Sequence, residues 1–332
     1  MAGIIFSEGS GLNDSVYGKT LAPIRRFIEK KAEAFEEKSV LDKLFAVELT
    51  TNFAEKYTGL TSMDDFKPTG EGGAYEINEM NTGYEKVVEP QVWKSKFIIT
   101  REMVDDSKNI DMKKKPLAFT TSYYRTRERF GANLFASAIG GTDVTISGKT
   151  FSVKSADNQV VFSTSHPSKV KGANQSNKFS NAFTVDNLSK VEAAMQNFRD
   201  DNNNILNLAP DTIMIGNDAA LKTAVFAALG ADKDPNTANN GFNYQFGRWN
   251  IIINPYLNQF LSAGTSPWIV LDSGFNSEYG GAVWLDRVKL EVRTYIDENT
   301  DNNVWAGYSR FTAGFNDWRF ASVGGVTGAT AL

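Results

Sequence analysis

Side chains able to do chemistry are scarce in this chain. It has no cysteine and one histidine, His166, in 332 residues. Without cysteine there can be no disulfide, thiolate metal site or cysteine nucleophile. Imidazole is the commonest general base and metal ligand, and one copy, followed by Pro167 in a polar stretch, cannot build a histidine-rich centre. A structural or exposed His166 is therefore the expectation. Other spacings fail on inspection. Gly148-Lys149-Thr150 ends like a phosphate loop, but the earlier glycine falls at Asp143. Asp297-Glu298-Asn299-Thr300-Asp301 has the carboxylate spacing of a calcium loop, yet Asn302 stands where glycine belongs and Tyr308 where glutamate belongs. A solvated turn between strands fits better. Asp200-Asp201-Asn202-Asn203-Asn204 reads as an acidic helix-to-strand turn. Gly70-Glu71-Gly72-Gly73 lacks the third glycine of a dinucleotide fingerprint and precedes a strand. Trp93, Trp249, Trp268, Trp284, Trp305 and Trp318 are spread through strand-like segments and read as core. No catalytic, cofactor-binding or metal-ligating residue is assigned. A carboxylate-pair hydrolase would need an acid and a nucleophile that the sequence does not single out.

Composition is that of an ordinary globular chain. Hydrophobic residues make up 41% and charged residues 22%, as in an ordinary folded domain with enough length for one large or two medium units. No apolar run approaches the roughly 18 residues that a membrane span needs, and no secretory signal is visible at Met1 to Glu8. The net charge of −4 gives no general attraction to nucleic acid or anionic lipid.

The elements are legible in outline. Thr20 caps an arm helix with Pro23 in its first turn, and Leu21, Ile24, Ile28 and Phe35 share a stripe. A charged, glycine-punctuated hairpin follows from Asp64, with Tyr75 and Ile77 before a turn at Asn81-Thr82-Gly83 and Tyr84, Lys86 and Val88 after it. Trp93, Phe97 and Ile99 return one face to a core. An isolated ribbon is marginal in water, so this one needs a partner. Thr100 caps a short turn, and a long helix runs from Asp111 to Ile139, stopped by Gly140-Gly141, with Pro116 near its start. Residues 141–183 read as an irregular loop with a short strand at Val160-Val161-Phe162. Asp186 caps a helix with Leu188, Val191, Met195 and Phe198 on one face. A buried strand, Ile213-Met214-Ile215, leads to a helix from Asp218 to Leu229. After the polar loop from Ala231 to Gly241, Phe242, Tyr244 and Phe246 alternate. Three strands, Val283–Ile296, Val304–Phe311 and Phe315–Val323, close the chain. This mixture predicts an α+β fold.

The order of these elements resembles the major capsid protein of tailed bacteriophages, the Hong Kong 97-type capsid fold. Ile98-Ile99-Thr100-Arg101-Glu102-Met103-Val104-Asp105-Asp106 is similar to the family's phrase before its spine helix. Phe162-Ser163-Thr164-Ser165-His166-Pro167 is similar to a phrase of one branch. Pro210 to Ile215, Trp249 to Leu257 and Asp317-Trp318-Arg319-Phe320 resemble the axial core and the C-terminal strand. The resemblance implies an N-terminal arm over 1–56 and an extended loop over 57–96. It implies a peripheral domain over 97–185 and 286–326 with spine helix 112–139, and an axial domain over 186–285 whose loop 231–241 points at a symmetry axis. It also implies hexamers and pentamers of an icosahedral shell around double-stranded DNA, located in the virion capsid and assembled in the host cytoplasm. Portal, scaffolding and decoration proteins are implied partners. The arm begins almost at Met1, which implies a separate scaffolding protein or none. Packaged DNA would be contacted non-specifically, and no membrane is involved. Tyr75, Ile77, Tyr84, Lys86, Arg125, Arg127, Glu128 and Arg129 are the expected subunit-interface residues. The alternative is a phage tail or surface module whose Asn-rich loops and aromatics contact glycans.

Overall fold

The computed structural model describes residues 5–6, 28, 30–35, 38–60, 63, 65–74, 77, 82–106, 109–230, 243–262 and 264–332. Leu21, Ile24, Tyr75, Phe242 and the loop 231–241 lie outside them. The strands are β1 (Ile5–Phe6), β2 (Ala46–Leu49), β3 (Glu55–Leu60), β4 (Thr82–Val88), β5 (Gln91–Ile99), β6 (Val144–Ile146), β7 (Lys149–Phe151), β8 (Thr212–Ile215), β9 (Asn250–Ile253), β10 (Trp268–Leu271), β11 (Ala282–Asp297), β12 (Asn302–Phe315) and β13 (Ala321–Gly324).

A long antiparallel hairpin, β11–β12, anchors the first sheet. β5 joins β12 antiparallel, while β1 and β2 both run parallel to β11. The period-two pattern of β5 behaves as its sequence demands: Trp93 and Phe97 turn inward while Lys94 and Lys96 turn to solvent. Against the inward face lies the helix Asn109–Gly140, of 32 residues and roughly 48 Å at 1.5 Å per residue. Gly141, at φ +78°, takes the left-handed conformation that ends it. Pro116 sits two residues deeper than an Asp111 start predicts, because the helix begins at Asn109 and runs through it.

A second sheet has the order β13-β10-β8-β9. All four residues of β8 and of β10 are buried, as continuous β-branched and aromatic runs require. Helices Val185–Gln196, Ala219–Leu229 and Ser273–Tyr279 accompany it. Asp218 caps the second of these by accepting from the N–H groups of Ala220 and Leu221. Thr184, not Asp186, caps the first, accepting from Asn187 N at 3.1 Å. One apolar core joins both sheets, running from Leu41, Phe45 and Phe135 to Met214, Trp268 and Phe320.

Several sequence expectations move. Residues 41–49, read as arm, belong to the body: Leu41, Leu44 and Phe45 enter the core, and β2 pairs with β11. The segment 286–326 does not stay with the first sheet, since β13 pairs with β10 in the second after a tight turn at Trp318–Phe320. Val160–Phe162 forms no strand beyond an isolated bridge from Val160 to Lys154, and Val161 N–H donates to Val153 O, with Val161 and Phe162 buried as loop residues. Tyr244 and Phe246 lie in turn backbone and are exposed. Gly148 completes the turn between β6 and β7 and Lys149-Thr150 open β7, a strand-to-strand hairpin and not a phosphate loop.

Candidate assembly surface

The extended ribbon pairs differently from the sequence expectation. β4 pairs with β3, upstream, so Thr82 and Gly83 are strand residues and not a turn. Ile77 is in neither strand. Alternation alone cannot choose a partner, and long-range packing chose it here. Val88 and Tyr57, one from each strand, pack on Val283 and Leu285 of β11. Two lysines hold the ribbon's root to the following loops. Lys86 Nζ donates to Lys154 O at 2.9 Å, and Lys169 Nζ donates to Gly83 O at 2.6 Å while standing 5.5 Å from the Tyr84 ring. Burial lowers the Lys86 ammonium from its ordinary value. It raises the half-buried Tyr84 phenol, with Asp201 adding to the effect. Tyr57 is raised further, by burial and by donating to Glu48 Oε2 at 2.7 Å.

Beyond this root the described side chains of the ribbon are left in solvent. Every side chain described within 63–77 is exposed, with Phe66 at 98% and Ile77 at 87%. Phe53, Met63 and Val87 add further exposed apolar area. A fully buried side chain of this kind is worth about 1.5–3 kcal/mol, so leaving them in water is a cost that docking would recover. Phe66 was findable from sequence, as a lone large apolar residue in a charged, glycine-rich segment.

The charged turn of the long helix divides. At 100° per residue, Arg125 and Arg129 share one face, and both are exposed. Arg129 carries its guanidinium 5.8 Å from the Phe260 ring. Arg127 points the other way and is only 7% exposed. It donates from both terminal nitrogens to the Asp286 carboxylate, at 2.7 and 2.8 Å, between the rings of Trp284 and Phe311. Burial works against this charge, and the Asp286 carboxylate more than offsets it, so Arg127 sits above its ordinary value. Glu128 accepts from Ser39 Oγ at 2.7 Å and Val40 N at 3.3 Å. Burial raises its carboxyl against those bonds. Arg127 is thus an internal tie, and Glu128, half-buried, is bonded to Ser39 and Val40.

His166 is structural. Its Nδ1 lies 2.7 Å from Asp157 Oδ2 and its Nε2 lies 3.2 Å from Asn177 Oδ1, with the ring stacked on Trp318. Burial raises the Asp157 carboxyl, but bonds from His166 and Ser155 outweigh it and hold the group below its ordinary value. The Asp200 carboxylate is engaged by the N–H groups of Asn202 and Asn204, and Asp201 pairs with Arg319 at 3.2 Å. Among the described residues, no group of three or more His, Cys, Asp or Glu side chains is placed to hold a metal ion.

The described body has two sheets, a long helix across one of them and a ribbon whose described tip side chains are exposed. Residues 83–323 match the phage capsid protein family, and the chain belongs to that family. It is a structural protein of the virion capsid, a major capsid protein. Solved structures similar to it include the capsid of an empty GTA particle, at 11% identity over 86% of this chain and 88% of that one, TM-score 0.49. Mycobacterium phage Adephagia is similar at 13% identity over 85% and 87%, TM-score 0.48. The capsid of cyanophage P-SCSP1u is similar at 11% identity over 85% and 86%, TM-score 0.48. No curated protein matches the sequence.

Proposed function

We propose that this subunit forms hexamers and pentamers of a closed icosahedral shell around double-stranded DNA, with the β3–β4 ribbon of each copy laid over the next. The observation that carries this reading is the ribbon itself: rooted firmly on β11, uncovered beyond, and tipped with exposed Phe66 and Ile77. In this reading 97–185 and the β11–β12 hairpin form the peripheral unit, and 186–285 most of the axial unit. Tyr84 and Lys86 set the ribbon's angle from within the subunit, while Ile77 and Tyr75 with Arg125 and Arg129 face neighbours. The protein has no catalytic role, is assembled in the host cytoplasm, and works with portal, scaffolding and decoration proteins.

Replacing residues 63–77 by a short Gly/Ser turn tests it. The β3–β4 pairing and its root remain, so the variant is expected to fold with an unchanged far-UV spectrum and melting temperature. Negative-stain images of the expressed protein are expected to show no closed particles. Closed particles of normal size from this variant would overturn the clasp.

A further inference from the structure

The chain's single histidine, His166, is only 1% exposed, and its neighbours fix where its protons are. Asn177 Nδ2 lies 2.7, 3.3 and 2.9 Å from the carbonyl oxygens of Val161, Trp318 and Ala321. Only an amide nitrogen can face three carbonyls, so Asn177 turns Oδ1 to the ring, where it also accepts from Ser163 N at 3.0 Å. That oxygen has no hydrogen to give. Nε2 of His166, 3.2 Å away, therefore donates to it. On the other side of the ring, Nδ1 lies 2.7 Å from Asp157 Oδ2. Asp157 Oδ1 accepts from Ser155 Oγ at 2.6 Å and from Gln159 N at 3.0 Å, bonds that favour the carboxylate. A carboxylate only accepts, so Nδ1 donates as well. Two donors on one imidazole make it a cation. The Trp318 indole, stacked on the ring at 4.2 Å, offers that charge the negative face of its π-system.

The other charges nearby are already engaged. Asp317, on the turn, and Asp201, on the loop after the helix Val185–Gln196, both pair with Arg319, at 2.9 and 3.2 Å. Arg319 itself stands 5.1 Å from the Trp318 ring. Arg199 donates to Asn203 O, and Lys178 to Ile139 O. From β4 come the Tyr84 phenol and Lys86, which is bonded to Lys154 O, while Lys169 is bonded to Gly83 O. Asp143 accepts from Val153 N. Asp157 is the carboxylate bonded to the ring.

This cation closes a junction between the two sheets. Asn177, oriented by the Nε2–H, ties Val161 to Trp318 and Ala321, and Val323 N–H donates to Asn177 O at 2.9 Å. These bonds hold β13 where it crosses to pair with β10. Without the Nδ1 proton, a ring lone pair would face the Asp157 carboxylate in a buried site, where nothing screens the repulsion.

We propose that His166 is a fixed, buried imidazolium and the alkaline-sensitive latch of this junction: loss of its Nδ1 proton to hydroxide frees the loop 155–179 from the Trp318–Phe320 turn. The latch lies within one subunit and does not depend on how copies meet. Its stabilisation is complete while the ring holds both protons and is lost as rising pH removes one.

Labelling the full chain with [15N]histidine reports this one ring, as the sequence has no other. At about pH 7.5, where a free imidazole is mostly neutral, both ring nitrogens are expected to be protonated. An unprotonated ring nitrogen there would overturn the proposal. In Asp157→Asn the counter-ion is gone and the new amide can donate to Nδ1, so one unprotonated nitrogen is expected at the same pH. A ring still doubly protonated in that variant would overturn the pairing. The wild-type measurements stand without the variant. Hydrogen exchange, corrected for its intrinsic base catalysis, tests the latch at pH values on either side of the ring's own proton loss. The amides of His166, Gln175, Asn177 and Val323, all bonded across the junction, are expected to exchange about tenfold faster on the alkaline side, while β8 and β10 stay protected. Unchanged protection of these four amides, or a ring that keeps both protons until the whole chain unfolds, would overturn the latch.

Discussion

Replacing Asp286 by asparagine removes one charge from a nearly isosteric side chain and leaves Arg127 stranded. The guanidinium cannot shed its proton at any ordinary pH. In the native subunit it is held by two bonds of 2.7 and 2.8 Å, and Asp286 is only 3% exposed. Asp286 Oδ1 also accepts from Trp284 Nε1 at 3.1 Å. Breaking a buried pair by removing one partner costs about 3–5 kcal/mol. At roughly 2.1 cal/mol/K per residue, the 332-residue chain has an unfolding entropy of about 0.7 kcal/mol/K. The expected fall in melting temperature is therefore about 4–7 °C for the unassembled subunit, read by calorimetry. The loss should be nearly the same at about 0.1 M and 1 M salt, since a pair shielded from solvent is poorly screened. The double variant R127M/D286L should recover most of it, because an apolar pair of similar volume avoids the desolvation penalty. If Asp286→Asn shifts the melting temperature by less than about 1 °C, the pair does not tie the long helix to β11 as argued.

Two further perturbations follow from the same physics. Asp157 is held below the ordinary aspartate value of 3.8 by His166 and Ser155, so its contribution is complete above that pH and is lost as pH falls through the depressed value. Asp157→Asn should thus lower the melting temperature at pH 7, and the gap to wild type should shrink as pH falls through the depressed value; a gap that widens on acidification would contradict this. Gly324 lies against the indole of buried Trp268, where an added Cβ would collide with ring atoms. Gly324→Ala should cost about 1–3 kcal/mol by overpacking, whereas Gly328→Ala, in open space, should pay only for its positive φ.

The sequence by itself determined what is local. A long periodic run stopped by two glycines gives the helix Asn109–Gly140, Asp218 gives a cap, and the alternation of Trp93, Phe97 and Ile99 gives the inward face of β5. It also determined by exclusion that thiol chemistry has no residue to use, and the order of its elements carried the family. Tertiary structure alone decided which segments meet. β3 and β4 are short and charged, and their pairing is chosen by Val88 and Tyr57 landing on β11, about 200 residues further along. Arg127 is one cation in a charged turn, and only the phase of the helix against the sheet turns it inward to Asp286, while Arg125 and Arg129 stay in solvent. β13 crosses to the second sheet because β10 offers it an edge that no local pattern announces. Local propensity is encoded in neighbours along the chain. Pairing and burial are settled by contacts whose loop-closure cost is repaid only when the whole core forms.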